Sequence, residues 1–232
     1  MSILSDGNIG NLTLRELELL VPKIARLSSR ELVDAYDKFV EILYEDIDEI
    51  IQDIQENPEL RKDDAEDRLT IEILLNLRRL GYDASHDTKI GGHTDLFVKH
   101  NKGYKWIGEA KIHDGNAYLW GGFMQLTERY SIGDDRQKDG GMLIYLKISD
   151  ADKVMKSWEN YLASQNLQDY EHHPCSKNSL YFFSKYKHTK SGLIFTVRHM
   201  IVLLYFKPQD SSKDNSITQV SPKRKAKKKL SD

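Results

Sequence analysis

The sequence predicts an α/β fold in which helices pack on one mixed sheet (α+β in character). Three observations predict it. Between residues 64 and 148 the apolar spacing changes in the order helix, three strands, helix, strand. Two strand-like runs follow at 179–188 and 193–206, joined by Lys190-Ser191-Gly192 as a β-hairpin would be. Ahead of both lies a helical stretch without strands, residues 12–56.

Within 12–56, Ser28-Ser29-Arg30-Glu31 has the spacing of a capping box that opens a helix. Leu32, Tyr36, Val40, Leu43, Ile47, Ile51 and Ile54 then recur at three- and four-residue steps. The other faces carry Asp34, Asp37, Glu41, Glu45, Asp46, Asp48, Glu49 and Asp53. Such a surface repels nucleic acid, so this helix is expected away from any. It reads as a packing arm or a dimer seam, through which a homodimer or a partner in a larger complex would join. Residues 64–80 form the next helix, ended by Gly81. Glu66, Leu69, Thr70, Ile73, Leu77 and Leu80 share the stripe that faces a sheet, and Glu72 sits outside with Arg68 and Arg79.

Residues 82–87 and 94–100 read as strands, Asn101-Lys102-Gly103 as a turn, and 104–112 as an antiparallel return. Residues 121–132 are expected to be helical, 142–148 a buried strand, and 152–165 an amphipathic helix. His172-His173-Pro174-Cys175 reads as a loop, because no further pair of Cys or His stands at zinc spacing. The chain thus divides into an N-terminal helical region (1–60), a mixed domain (61–206) and a tail (207–232) rich in Ser, Lys and Asp, expected to be disordered.

No apolar run approaches the roughly 20 residues that span a bilayer, and residues 1–11 lack the pattern of a signal peptide. A single cysteine, Cys175, rules out an intrachain disulfide, and a reducing cytoplasm is the simplest setting. The last ten residues hold six basic side chains and one acid, so the other 222 carry −7 against −2 for the whole chain. Lys223, Arg224 and Lys225 in this tail would touch phosphates by counterion release, or simply keep the chain soluble.

Chemistry concentrates in Gly91-Gly92-His93-Thr94-Asp95-Leu96-Phe97-Val98 and Trp106-Ile107-Gly108-Glu109-Ala110-Lys111-Ile112. Both runs are apolar strands carrying charges that a buried strand tolerates only when paired or bound to a metal. Strand alternation sends Glu109 and Lys111 to one face, and the tight turn brings Asp95 back beside them. Two carboxylates suit Mg²⁺ or Mn²⁺, and an ammonium next to them suits the charge that grows on a phosphate. His93 reads as a turn residue. Lys185 and Lys187, with Lys190, His188, Tyr181 and Tyr186, read either as a basic aromatic grip on nucleic acid or as an edge strand protected by lysines.

Asp95, thirteen intervening residues and then Glu109-Ala110-Lys111 resemble the PD-(D/E)XK nuclease superfamily. Thr94 stands where the family name has proline, and the resemblance covers residues 64–148. It implies a restriction-endonuclease-like α-β-β-β-α-β core, here with an N-terminal helical extension and a C-terminal hairpin. It also implies Mg²⁺ or Mn²⁺ on Asp95 and Glu109, with Lys111 handling water and charge. The activity implied is hydrolysis of nucleic-acid phosphodiesters, DNA foremost, by an endonuclease of restriction-like defence or of repair. Many members carry a further acid on the first helix near the metal. Glu66 is its counterpart here, unless it only favours the positive end of the helix dipole. Members similar to the RecB branch pair a catalytic-site glutamine with a tyrosine four residues on. Gln125 matches the glutamine, while Tyr130 falls five residues later. Arg129 shares a helical face with Gln125 and reads as a phosphate contact or a solvated arginine. The rival reading is a nucleic-acid-binding, sensor or scaffold subunit that has lost catalysis. Such proteins usually lose the lysine or an acid, and all three are present here.

Overall fold

The computed structural model describes residues 12–86, 88–89 and 93–208. Thr13 and Glu16 satisfy each other's groups in a capping box that opens α1 (Leu14–Leu20). Pro22, in the first turn where its missing N–H costs nothing, begins α2 (Pro22–Glu31). After a short break comes α3 (Tyr36–Gln55). The stretch anticipated as one helix is therefore three. Ser28-Ser29-Arg30-Glu31 closes α2 rather than opening α3: Ser29 Oγ donates back to the Arg26 carbonyl at 2.8 Å. Arg30 is held onto Asp46 by two N–H donors at 2.7 Å each.

Two acids of α3 are less exposed than expected, while Asp37, Glu41, Glu45, Glu49 and Asp53 are exposed. Asp46 is buried and accepts from the Tyr82 hydroxyl at 2.6 Å as well as from Arg30. Asp48 accepts from Arg198 at 2.9 Å. Both are tolerable so far inside because each is paired. Phe39, Leu43, Ile47, Ile51 and Ile54 share one hydrophobic core with the sheet, so α3 lies on the domain rather than standing off it.

Next is α4 (Glu66–Arg79), after which Gly81 takes φ +100° and turns the chain. Four short strands follow: β1 (Asp83–Ser85), β2 (Thr88–Lys89), β3 (His93–Thr94) and β4 (Leu96–Lys99). Then come β5 (Lys105–Ile112), α5 (Asn116–Met124), a π-helical turn (Gln125–Tyr130) and β6 (Asp139–Leu146). The chain completes with α6 (Ala151–Ala163), β7 (Glu171–Pro174), β8 (Phe182–Lys187) and β9 (Ile194–Leu203). The result is a mixed α/β fold. Seven strands form one sheet in the order β1-β4-β5-β6-β9-β8-β7. Its centre, β5-β6-β9, is parallel and its two flanks are antiparallel. β2 and β3 pair separately.

Side chains on opposite sides of β5 show the layers. Trp106 donates to the Tyr44 hydroxyl of α3 at 3.3 Å, and its indole lies across Gly108 and Gly141. A methyl group on those glycines would come within 2.7 and 2.4 Å of the ring. On the same face Tyr145 of β6 meets Thr70 of α4. On the other face Lys111 lies against Gly122 of α5, and Phe123 and Trp158 stack around His199 of β9. Helices α3 and α4 therefore cover one face and α5 and α6 the other.

Several elements differ from expectation. The strand anticipated over 94–100 breaks at Asp95, because that side chain takes a backbone N–H of β5 in place of a ladder partner. The helix anticipated from Gly121 starts five residues earlier, after Gly115 at φ +88°. It runs through both glycines because Leu119 and Phe123 anchor it in the core. His172-His173-Pro174 is an edge strand, β7, with every residue exposed; backbone pairing to β8 forms it, not an apolar pattern. Glu72 pairs with Arg61 at 2.6 Å and Arg68 at 3.8 Å, while Arg79 turns to Asn76. No helix among the described residues is long and apolar enough to cross a membrane.

Candidate functional site

Alternation along β5 places Glu109 and Lys111 on the face covered by α5. The β4–β5 ladder ends at the pair Leu96–Gly108, one residue after the break at Asp95. The Ala110 N–H lies just past that end, and Asp95 Oδ2 accepts it at 2.9 Å. The break thus fixes the first acid against the strand that carries the other two charges. A fourth group comes from the first turn of α4, where Glu66 Oε2 accepts the Ile112 N–H at 2.8 Å. Glu66 therefore caps the exit of β5 rather than only its own helix.

Lys111 Nζ lies 2.6 Å from Glu109 Oε1, 3.4 Å from Glu66 Oε1 and 3.7 Å from Asp95 Oδ2. It also donates to the Ala110 carbonyl at 3.2 Å. Three carboxylates thus converge on one ammonium. Glu109 is 1 % exposed, and its second oxygen, Oε2, is buried without a hydrogen-bond partner. Burial first, then the charge of Asp95, pushes the Glu109 carboxyl up to about 7 in spite of Lys111. Burial also raises Asp95, against the pull of the Ala110 N–H and Lys111. Burial alone would lower Lys111, but the Glu109 carboxylate outweighs it and the ammonium is held protonated.

Among the described residues no set of acids, histidines or cysteines is already arranged as a cage for a metal ion. The ammonium of Lys111 lies in the midst of the acids. Their chemistry nonetheless suits a hard divalent cation: all are oxygen donors, and one buried carboxylate oxygen has nothing to bind.

The π-helical turn, which packs against β3 and β5, changes which residues align. Its i→i+5 bonding brings residues five apart into phase. Gln125 and Tyr130 are five apart within it, and Tyr130 is buried while Arg129, anticipated beside Gln125, is exposed. Tyr130 is buried, and after burial itself the charges of Glu109 and Asp95 are what raise its hydroxyl, so it looks onto the acids. Gln125 is half-buried where the turn begins.

The hairpin residues are not brought to this place. Lys185 and Lys187 share the side of β8 that carries Phe183, which meets Tyr44 of α3 edge-on on the opposite face of the sheet. Tyr181 and Tyr186 are buried and unable to stack a base, and β7 covers β8, so β8 is not an edge strand. His93 lies in β3. Lys223, Arg224 and Lys225 lie outside the described residues.

The sequence reading missed Tyr118. Its hydroxyl donates to Glu66 Oε2 at 3.4 Å, and its ring centre is 5.9 Å from Lys111 Nζ. The glycine pair at 121–122, read as a helix start, hid the first turn of α5. The spacing Leu119, Phe123, Leu126 would have revealed it. Comparison with protein-family models, with curated proteins and with solved structures gave no match.

Proposed function

We propose that this chain is a metal-dependent nuclease of the PD-(D/E)XK type that hydrolyses nucleic-acid phosphodiester bonds. One observation carries the reading: Asp95, at the break just before β4, and Glu109 and Lys111 of the neighbouring β5 meet on one face of the sheet, with both acids within hydrogen-bond or ion-pair distance of the lysine. The succession α4, β1, β4, β5, α5, β6, with β5 and β6 parallel, further supports a restriction-endonuclease-like core.

In this reading Asp95 and Glu109 hold Mg²⁺ or Mn²⁺, with Glu66 beside them. The ion, when bound, lowers the pKa of water and offsets charge on the phosphate. The acids around Lys111 favour its ammonium form, which suits a charge stabiliser that donates to a phosphate oxygen. Glu109 must give up its proton before it can serve as a ligand, which ties function to pH. Tyr130 faces Glu109 and Asp95, and Gln125 would support the site from the start of the same π-helical turn. DNA, restriction-like defence or repair, and an endonucleolytic cut follow by analogy with the superfamily.

The test incubates the full chain with plasmid, single-stranded DNA and RNA in Mg²⁺ or Mn²⁺, alongside Glu109→Ala and Lys111→Ala. Each substitution is expected to lower cleavage on the order of 10²-fold or more. Equal behaviour of the three proteins would overturn the assignment.

A further inference from the structure

We infer that Tyr118 is a stacking platform for an unpaired nucleobase next to the scissile phosphate, and that the substrate is single-stranded at that point. This rests on the nuclease reading above. Tyr118 sits in the first turn of α5, 44 % exposed, at the rim of the acid and lysine cluster. Large aromatic rings are normally buried; this one stands at the surface beside the site, its hydroxyl 3.4 Å from Glu66 Oε2. Lys111 approaches the ring at 5.9 Å. Lys111 lies over one face of the ring, so a base stacked on the other, open face would carry its phosphate at the rim of the acid and lysine cluster.

The surroundings leave room for it. Along α5 the neighbours of Tyr118 on the exposed side are Ala117 and Gly121, and a Cβ built on Gly121 meets nothing within 4 Å. A strand can thus approach the helix backbone closely.

Charge supports a single strand over a duplex. Apart from its last ten residues the chain carries −7, so it is poorly supplied for the many phosphate contacts that hold a duplex. Stacking needs no positive charge and no particular sequence, but it does need a base that is not already stacked on both sides. A loop, a flap or a frayed end provides that.

The experiment uses the full chain with Ca²⁺ in place of Mg²⁺, so that binding is read apart from turnover. The probe is a 12-nucleotide DNA single strand carrying 2-aminopurine, with the same sequence as a blunt duplex for comparison. Wild type is expected to quench the fluorophore and to bind the single strand more tightly than the duplex. Tyr118→Phe, which keeps the ring and loses the hydroxyl, should match wild type within about twofold. Tyr118→Ala should bind about tenfold or more weakly and lose the quench. Tyr118 lies outside the core, so thermal melting should be unchanged in both variants.

Equal binding by Tyr118→Ala and wild type overturns the proposal. So does Tyr118→Phe falling as far as Tyr118→Ala, which would make the residue only a support for Glu66. The two readings fail separately. If wild type and Tyr118→Ala cleave alike while Glu109→Gln is inactive, the nuclease stands and the platform falls. If wild type cleaves nothing but binds through Tyr118, cleavage is lost and the platform remains.

Discussion

Glu109 holds its proton at pH values where an ordinary glutamate has lost it. Its carboxyl is raised from 4.5 to about 7, first by burial and then by Asp95. In the unfolded chain it ionises near 4.5, so between 4.5 and 7 the folded state binds more protons, and stability falls as pH rises through that window. Above 7 the penalty is complete, up to about 3 kcal/mol. Wild type is therefore expected to lose stability relative to Glu109→Gln between pH 4.5 and 7.5 in thermal melts. Mg²⁺ or Mn²⁺ should recover the loss at pH 7.5 and have little effect at pH 5. Parallel pH profiles for the two proteins would refute this. Glu109 and Lys111 were legible in the sequence because a strand's period of two leaves no choice of face. Tyr118 was not, because its importance lies in what it touches across the fold.

At the scale of elements, α5 seats the site. Gly122 lies so close to Lys111 that an added Cβ would come within 2.9 Å of the lysine Cγ. Gly122→Ala is thus expected to push Lys111 away from Glu109, costing about 1–3 kcal/mol of stability and most of the cleavage. Activity equal to wild type would show that the lysine has freedom to spare. The next segment teaches about reading helices. Periodicity counts residues at the α-helical step, so it paired Gln125 with Arg129. The π turn inserts one residue per turn, and in it Arg129 is exposed and Tyr130 buried. Nothing in the apolar pattern signals such a change. The strand break at Asp95 was similarly hidden, because Leu96 and Val98 continue the alternation and the backbone partner that ends β3 comes from β5.

For the whole molecule, the succession of α4, the strands β1, β4 and β5, then α5 and β6 was visible in the sequence through apolar spacing, whereas β2 and β3, two polar residues each, carry no such signal. The sheet order was less so, since β9 leaves its hairpin partner on one side and joins β6 in parallel on the other. The place of α3 was open between a packing arm and a dimer seam; it packs on the sheet, and what its acids hid is that Asp46 and Asp48 turn inward onto Arg30 and Arg198. Arg198 is 1 % exposed and stacks over Tyr44 of α3 at 4.8 Å. A chain begun at residue 57 would uncover this face along with Trp106. It is expected to be insoluble or to melt without cooperativity; a soluble product with a sharp transition would show that residues 57 onward fold alone. The position of β9 has a consequence for biosynthesis. Among the described residues it is the last strand in chain order, yet it belongs at the middle of the sheet. Until residue 203 emerges, β6 lacks one neighbour, and β5 with Glu109 rests on an unfinished support. A product that stops before β9 is therefore expected to leave the strand that carries Glu109 and Lys111 without a finished sheet behind it.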